Sequence, residues 1–158
     1  MTIDIPHFRQ LMGQLASGVS IITVRDSAGT DHGMTVSAFT SLSLSPPMVL
    51  VCVDRDATLA PALADATHLG VSILAATQQD LSQRFAGSRD DRFSGVEFRR
   101  GDSGVALMSG ALAQLETRIV AQYPGGDHII VVCEVVAGAT GAGAPLLYHQ
   151  AAYARLAP

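Results

Sequence analysis

A small barrel, mainly β with short helices, is the architecture this sequence predicts. Three observations lead there: about seven short apolar or β-branched runs bounded by turn residues, only three short helical patterns, and joins that read as hairpins and irregular links rather than βαβ alternation. With 158 residues the chain lies below the range where a second core becomes the rule, so 1–158 is expected to form a single domain.

The elements follow in chain order. Phe8 to Ala16 carries apolar residues at Phe8, Leu11, Met12 and Leu15, the i, i+3, i+4, i+7 pattern of an amphipathic helix, and Gly18 ends it. Val19 to Arg25 is β-branched, the turn-rich Asp26 to Asp31 follows, and Gly33 to Phe39 completes a hairpin. Ser41, Ser43 and Ser45 alternate with Leu42 and Leu44, so an extended backbone puts three hydroxyls on one side and two leucines on the other. Pro46-Pro47 is expected to hold the chain extended ahead of a buried strand from Met48 to Val53. Thr58 is a candidate cap for a helix running to about Ala66. Leu69 to Leu74 reads as strand and Gln78 to Phe85 as helix, and the polar, glycine-containing Ala86 to Gly104 as a mobile loop. Ala111 to Ala121, Ile129 to Val136, Leu146 to Tyr148 and Tyr153 to Leu156 supply the remaining strands, with Gly125-Gly126-Asp127-His128 as a tight connection.

Composition excludes several classes. Apolar residues make up 48% of the chain and charged ones 15%, against a usual charged share of about 25%, so intrinsic disorder is ruled out. The longest apolar run, Met48 to Val53, falls far short of the roughly 18 to 20 residues of a spanning helix, which argues against a membrane protein. A chain with so few charges has difficulty covering itself with polar surface, and burying one face against a second copy relieves this, so a homodimer is expected. The net charge is −4 and the basic residues are scattered, which removes the footprint of nucleic-acid binding. All ten basic residues are Arg; without Lys there is no Schiff-base nucleophile and no Walker A loop. The first ten residues lack the basic-then-apolar order of a signal peptide, and Cys52 and Cys133 sit in apolar runs like small buried hydrophobes, which points to the cytoplasm.

Catalytic signals are sparse. The five histidines and two cysteines show no metal-ligand spacing, and there is no G-x-S-x-G elbow. What remains is a set of small polar groups: Thr35, Ser37, Ser41, Ser43 and Asp54-Arg55-Asp56-Ala57-Thr58. They are either the solvent face of a strand and its loop, or the holders of a planar polar ligand whose phosphate lies near Arg55 and a helix start at Thr58. Spacing alone does not choose.

Phe8 to Gly13 through Ser17-Gly18-Val19, then the string Gly33 to Pro47 (GMTVSAFTSLSLSPP), then Gly126-Asp127-His128, Pro145 to Tyr148 and Tyr153, resemble the flavin reductase-like family. The resemblance covers nearly the whole chain. It implies a split β-barrel of the FMN-binding type, six-stranded and dimeric, that binds FMN or FAD near the subunit interface. It further implies hydride transfer from NADH or NADPH to the flavin, which is supplied to a separate monooxygenase. By the same resemblance Thr35, Val36, Ser37, Ala38 and Ser41 hold the isoalloxazine, Val53, Asp54, Arg55 and Thr58 hold the ribityl phosphate with Phe85 packed nearby, and His128 and Tyr153 serve the nicotinamide. No catalytic side chain and no metal are implied, because the two cofactors carry the chemistry. The sequence departs from the family pattern at Ser37, often Asn, at Thr117, often Cys, and at Cys133, usually Gly. A flavin-binding electron-transfer or sensor protein without nicotinamide turnover is the alternative, and a flavin-free interaction module is a more distant one.

Overall fold

The computed structural model describes residues 2–156. In chain order these form α1 (Ile5–Met12), β1 (Ser17–Gly18), β2 (Ser20–Arg25), β3 (Asp31–Val36), β4 (Phe39–Leu44), β5 (Pro47–Asp54), α2 (Ala60–Leu63) and β6 (His68–Ile73). A 3-10 turn (Ala76–Gln78) leads into α3 (Gln79–Ala86), followed by β7 (Phe98–Arg100), β8 (Ala106–Met108), β9 (Ala113–Gly125), β10 (His128–Thr140), β11 (Leu147–His149) and β12 (Ala152–Ala154).

Seven strands make the main sheet, in the order β3-β2-β6-β9-β10-β5-β4, all pairs antiparallel. Chain continuity from β3 through Ser37-Ala38 into β4, which lies at the opposite edge, forces the sheet to curl. Its interior is filled by Ile22 and Val24 of β2, Val36 of β3, Val49, Val51 and Val53 of β5, Leu69 and Val71 of β6, and Val131 and Cys133 of β10, with Leu59 and Leu63 at the α2 turn. The edges β3 and β4 do not hydrogen-bond to each other, so the barrel stays split, in keeping with the predicted class. A second cluster lies on the outer face, where Val19, Ile21, Leu74, Phe85, Met108 and Leu146 pack with α3 and the segment after it. β1, β11 and β12 form a small separate sheet beside it.

Several boundaries differ from the sequence expectation, each for a local reason. α1 begins at Ile5 because the Asp4 carboxylate accepts the His7 N–H at 2.8 Å and Pro6 suits the first turn; it stops at Gly13, not Gly18, and buries none of its residues. Thr58 does not cap a helix. Only the four-residue α2 follows, its N-cap is Leu59, and no side chain caps it. Of the two prolines only Pro47 extends the chain, as the first residue of β5; Ser45-Pro46 forms the turn of the β4–β5 hairpin, and a bulge between Ser41 and Ser43 breaks the expected serine alternation. Along β5 only Val49, Val51 and Val53 are buried, so Cys52 is half-buried while Cys133 sits in the core, where burial pushes its thiol above its ordinary value.

The stretch expected to be a mobile loop is packed instead. β7 and β8 form a short hairpin within its span and beyond, and the rings of Phe93 and Phe98 join the outer cluster. Its Gly101 turn is tied to Glu116, 4% exposed on β9, whose carboxylate accepts the N–H groups of Asp102 at 3.0 Å and of Ser103. Burial acts to raise that carboxyl, but the Ser103 and Asp102 donors outweigh it and hold it below its ordinary value. Among the described residues no helix is long and apolar enough to cross a membrane.

Gly70 faces the tightest contact in the sheet: a Cβ there would meet the Thr23 Oγ1 at 2.6 Å and the Ala106 carbonyl oxygen at 2.9 Å. These two atoms are themselves hydrogen-bonded at 2.6 Å. Gly70→Ala is expected to destabilise by about 1–3 kcal/mol in urea denaturation, the range of overpacking; an unchanged midpoint would mean that the sheet absorbs the methyl.

Candidate functional site

β3 is an edge strand, and its free edge builds the site. The Gly33 carbonyl accepts the Arg92 Nη1 at 2.8 Å rather than a β2 donor. Antiparallel pairing alternates, so the main-chain groups of Thr35 also turn away from β2, while those of Met34 and Val36 bond to it. Side chains alternate too: Val36 enters the barrel core, and Thr35 faces α3, where its hydroxyl donates to the Ser82 carbonyl at 2.6 Å. Gly33 has no side chain because a Cβ there would lie 2.8 Å from the buried Phe85 ring.

Two recesses open along this edge. One, about 190 Å³, is lined by Val19, Thr35, Val36, Ser37, Ser82, Ala86, Tyr148 and Tyr153. Tyr153 and Ser82 share a hydroxyl–hydroxyl hydrogen bond of 2.8 Å, and the Tyr148 ring stands edge-on to Tyr153 with centroids 5.6 Å apart. The other, about 240 Å³, takes in Thr35, Asp56, Thr58, Phe85, Gly87, Ser88 and Arg92. Arg92 forms its wall: Nη1 donates to the Gly33 carbonyl and to the Thr58 Oγ1 at 3.0 Å, and Nη2 to the Gly87 carbonyl. A guanidinium has five N–H donors and these contacts use three; Nε is buried without a partner, which leaves one Nη2 proton for an anion.

Thr35, Val36, Ser37, Thr58, Phe85 and Tyr153 are therefore brought together. Ala38 lies just beyond, in a cleft with α1, and its carbonyl accepts the Cys52 N–H at 2.9 Å. Ser41 is exposed on β4 and Val53 fills the barrel core; neither lines the two recesses. Asp54 turns its carboxylate to the Asp56 N–H at 2.8 Å, and Arg55 is exposed with its main-chain N–H on the Asp127 carbonyl. His128 opens β10 opposite Asp54, and its Nδ1 lies 2.7 Å from Asp127, which holds the Asp127 carboxyl below its ordinary value. Arg92, Ser82 and Tyr148 were not singled out from sequence. Arg92 sits in a polar stretch whose composition suggests solvent, and only its two bonds to the distant Gly33 and Thr58 reveal its place.

An open β-barrel whose free edge offers hydroxyls, main-chain groups and a cation is an arrangement suited to a flat, phosphorylated ligand. The flavin reductase like domain family matches residues 12–157, and this chain belongs to it. A flavin reductase (NADH) of Kitasatospora aureofaciens is 38% identical over 157 residues, covering 97% of this chain and 82% of that protein. The reductase component of a 4-nitrophenol 4-monooxygenase/4-nitrocatechol 2-monooxygenase from Rhodococcus opacus is 38% identical over 156 residues, covering 99% and 83%. The NADH:FAD oxidoreductase of Streptomyces globisporus C-1027, solved in complex with NAD and FAD fragments, superimposes with a TM-score of 0.92 at 36% identity and covers 100% of this chain and 98% of that one.

Tyr153→Phe keeps the ring and removes the hydroxyl, leaving the fully buried Ser82 Oγ without that partner. A loss of about 1–2 kcal/mol is expected in thermal or urea denaturation, the usual cost of an unsatisfied buried hydroxyl. No loss would show that the two hydroxyls are not coupled.

Proposed function

We propose that this chain is an NAD(P)H-dependent flavin reductase that binds FMN or FAD along the free edge of β3 and passes reduced flavin to a separate monooxygenase. The observation that carries the reading is a site built for binding, with hydroxyls, outward main-chain groups and the Arg92 guanidinium, in a chain whose residues 12–157 match the flavin reductase family. The donor set fits the cofactor: Ser37 and the Thr35 main chain suit the polar edge of an isoalloxazine, while Thr58 with Arg92 suits a phosphate. When bound, flavin and nicotinamide supply the hydride transfer between them.

The residues of the chain orient these partners. Thr35 is fixed by its bond to Ser82, so the main chain from Thr35 to Ala38 presents a rigid polar edge. Phe85 supports that edge from below at Gly33, and Tyr153 and Tyr148 close the recess beside Ser37. His128, oriented by Asp127, is assigned to the nicotinamide rather than the flavin, since it lines neither recess. The exposed apolar face of α1, with Phe8, Leu11 and Met12 each about half exposed, and the exposed Leu42 and Leu44 support a homodimer. Two free cysteines suit a reducing, cytoplasmic setting, and the described fold is taken as one flavin reductase-like domain.

NADH or NADPH oxidation is expected only when FMN or FAD is added, read as loss of nicotinamide absorbance. Tight flavin binding with no oxidation would make this a flavin-binding electron-transfer protein instead. At the phosphate, Arg92→Lys is expected to weaken FMN about tenfold, the scale of a lost charge-assisted hydrogen bond, and riboflavin hardly at all. Arg55→Ala is expected to leave the FMN-to-riboflavin ratio unchanged; the opposite pattern would move the phosphate to Arg55.

A further inference from the structure

Beyond Arg92 the free edge of β3 continues into a third recess of about 290 Å³, lined by Thr30, His32, Arg89, Asp90 and Phe93 and sharing Thr58 and Arg92 with the second. The three recesses thus lie in series along one strand, from Ser37, past Thr35, to Gly33 and Thr30. FMN has two parts to place, a ring system and a ribityl phosphate, and the series offers one compartment more.

The chemistry of that compartment is that of a nucleoside. Phe93 is half-buried and held edge-on by Phe85 at 5.0 Å and by Phe98 at 5.7 Å between centroids, so it offers a fixed aromatic side to a purine. Of the nearby carboxylates, Asp31 is engaged by Arg100, Asp91 by Arg89 and Asp26 by His32, which leaves Asp90 to accept from ribose hydroxyls. The wall between the second and third recesses is Arg92, which lines both, and its charge with one unused Nη2 proton suits a pyrophosphate linking the two compartments.

We propose that the third recess takes the adenosine 5′-phosphate half of FAD, so that this protein prefers FAD to FMN. The proposal rests on the flavin reductase reading above. NADH carries the same adenosine diphosphate group, so the test separates the two sources.

Thr30 and Asp90 are exposed, and neither side chain holds another element, so Thr30→Trp fills the recess and Asp90→Ala removes its acceptor with the fold kept. FMN and FAD affinities are measured by fluorescence titration, and the KM for NADH is measured with FMN as acceptor. The wild type is expected to bind FAD about tenfold tighter than FMN. Thr30→Trp is expected to weaken FAD about tenfold, and Asp90→Ala about fivefold, one hydrogen bond's worth, with FMN changed less than about twofold. Equal affinity of the wild type for both flavins, or variants that weaken both alike or neither, would overturn the assignment. A raised KM for NADH with FAD affinity intact would give the recess to the nicotinamide cofactor and overturn it too. A wild type that binds no flavin would overturn the functional reading and the recess together.

Discussion

Phe85 meets the main chain of β3 at Gly33 with no side chain between them, and the binding edge is laid out around that contact. Its ring edge would sit 2.8 Å from any Cβ at that position. Being 1% exposed, and packed edge-on against Phe93, which itself would lie 3.1 Å from a Cβ at Gly33, it has little room to retreat. The close approach brings α3 near enough for the Ser82 carbonyl to take the Thr35 hydroxyl, for the Ser82 hydroxyl to meet Tyr153, and for Arg92 to reach the Gly33 carbonyl from the following segment. Burying a phenylalanine contributes about 1.5–3 kcal/mol to the fold. Here the same burial sets the spacing between helix and strand on which three polar contacts depend.

The sheet serves two cores at once. β2 sends Ile22 and Val24 into the barrel and Ile21 to the outer cluster with Phe85 and Met108, so it is buried on both faces, Ser20 and Thr23 included. β3, one strand further out, keeps one face in the barrel, gives the other to α3, and leaves its edge free. A chain with few charges spends several of them fastening loops to this frame. Arg100 grips Asp31 in a bidentate pair, Glu116 holds the Asp102–Ser103 turn, and Arg92 joins Gly87, Thr58 and Gly33.

Strands were the legible part of the sequence. VSIITVR, MVLVCV and HIIVV are β-branched and bounded by turn residues, and period and composition agree there. The helix ends were less so. The N-terminal helix owes its start to Asp4, ahead of the apolar pattern that announced it, and Thr58 looked like a cap because its true partner, Arg92, is 34 residues away. The stretch from Ala86 to Gly104 read as loop because its polar residues outnumber Phe93 and Phe98, although the two rings decide its packing. Among the residues that line the two recesses, Thr35 and Ser37 are legible in a recognisable string, and Tyr153, expected at the nicotinamide, lies beside Ser37. Arg92 and Ser82 are not legible, because each acts through main-chain carbonyls or a distant hydroxyl, and such contacts leave no local pattern.

The outward main-chain groups of β3 also bear on how such a protein can change over time. A peptide N–H or C=O is the same whatever side chain its residue carries, so recognition through a strand edge is not erased when residues along that strand are exchanged. Only a change that bends the strand, removes a donor as proline does, or fills Gly33 would disturb it. Main-chain recognition along β3 thus tolerates exchange of its side chains so long as Gly33 stays bare over Phe85, whereas a contact made by a side chain, as Arg92 makes to the Gly33 carbonyl, is lost with that side chain.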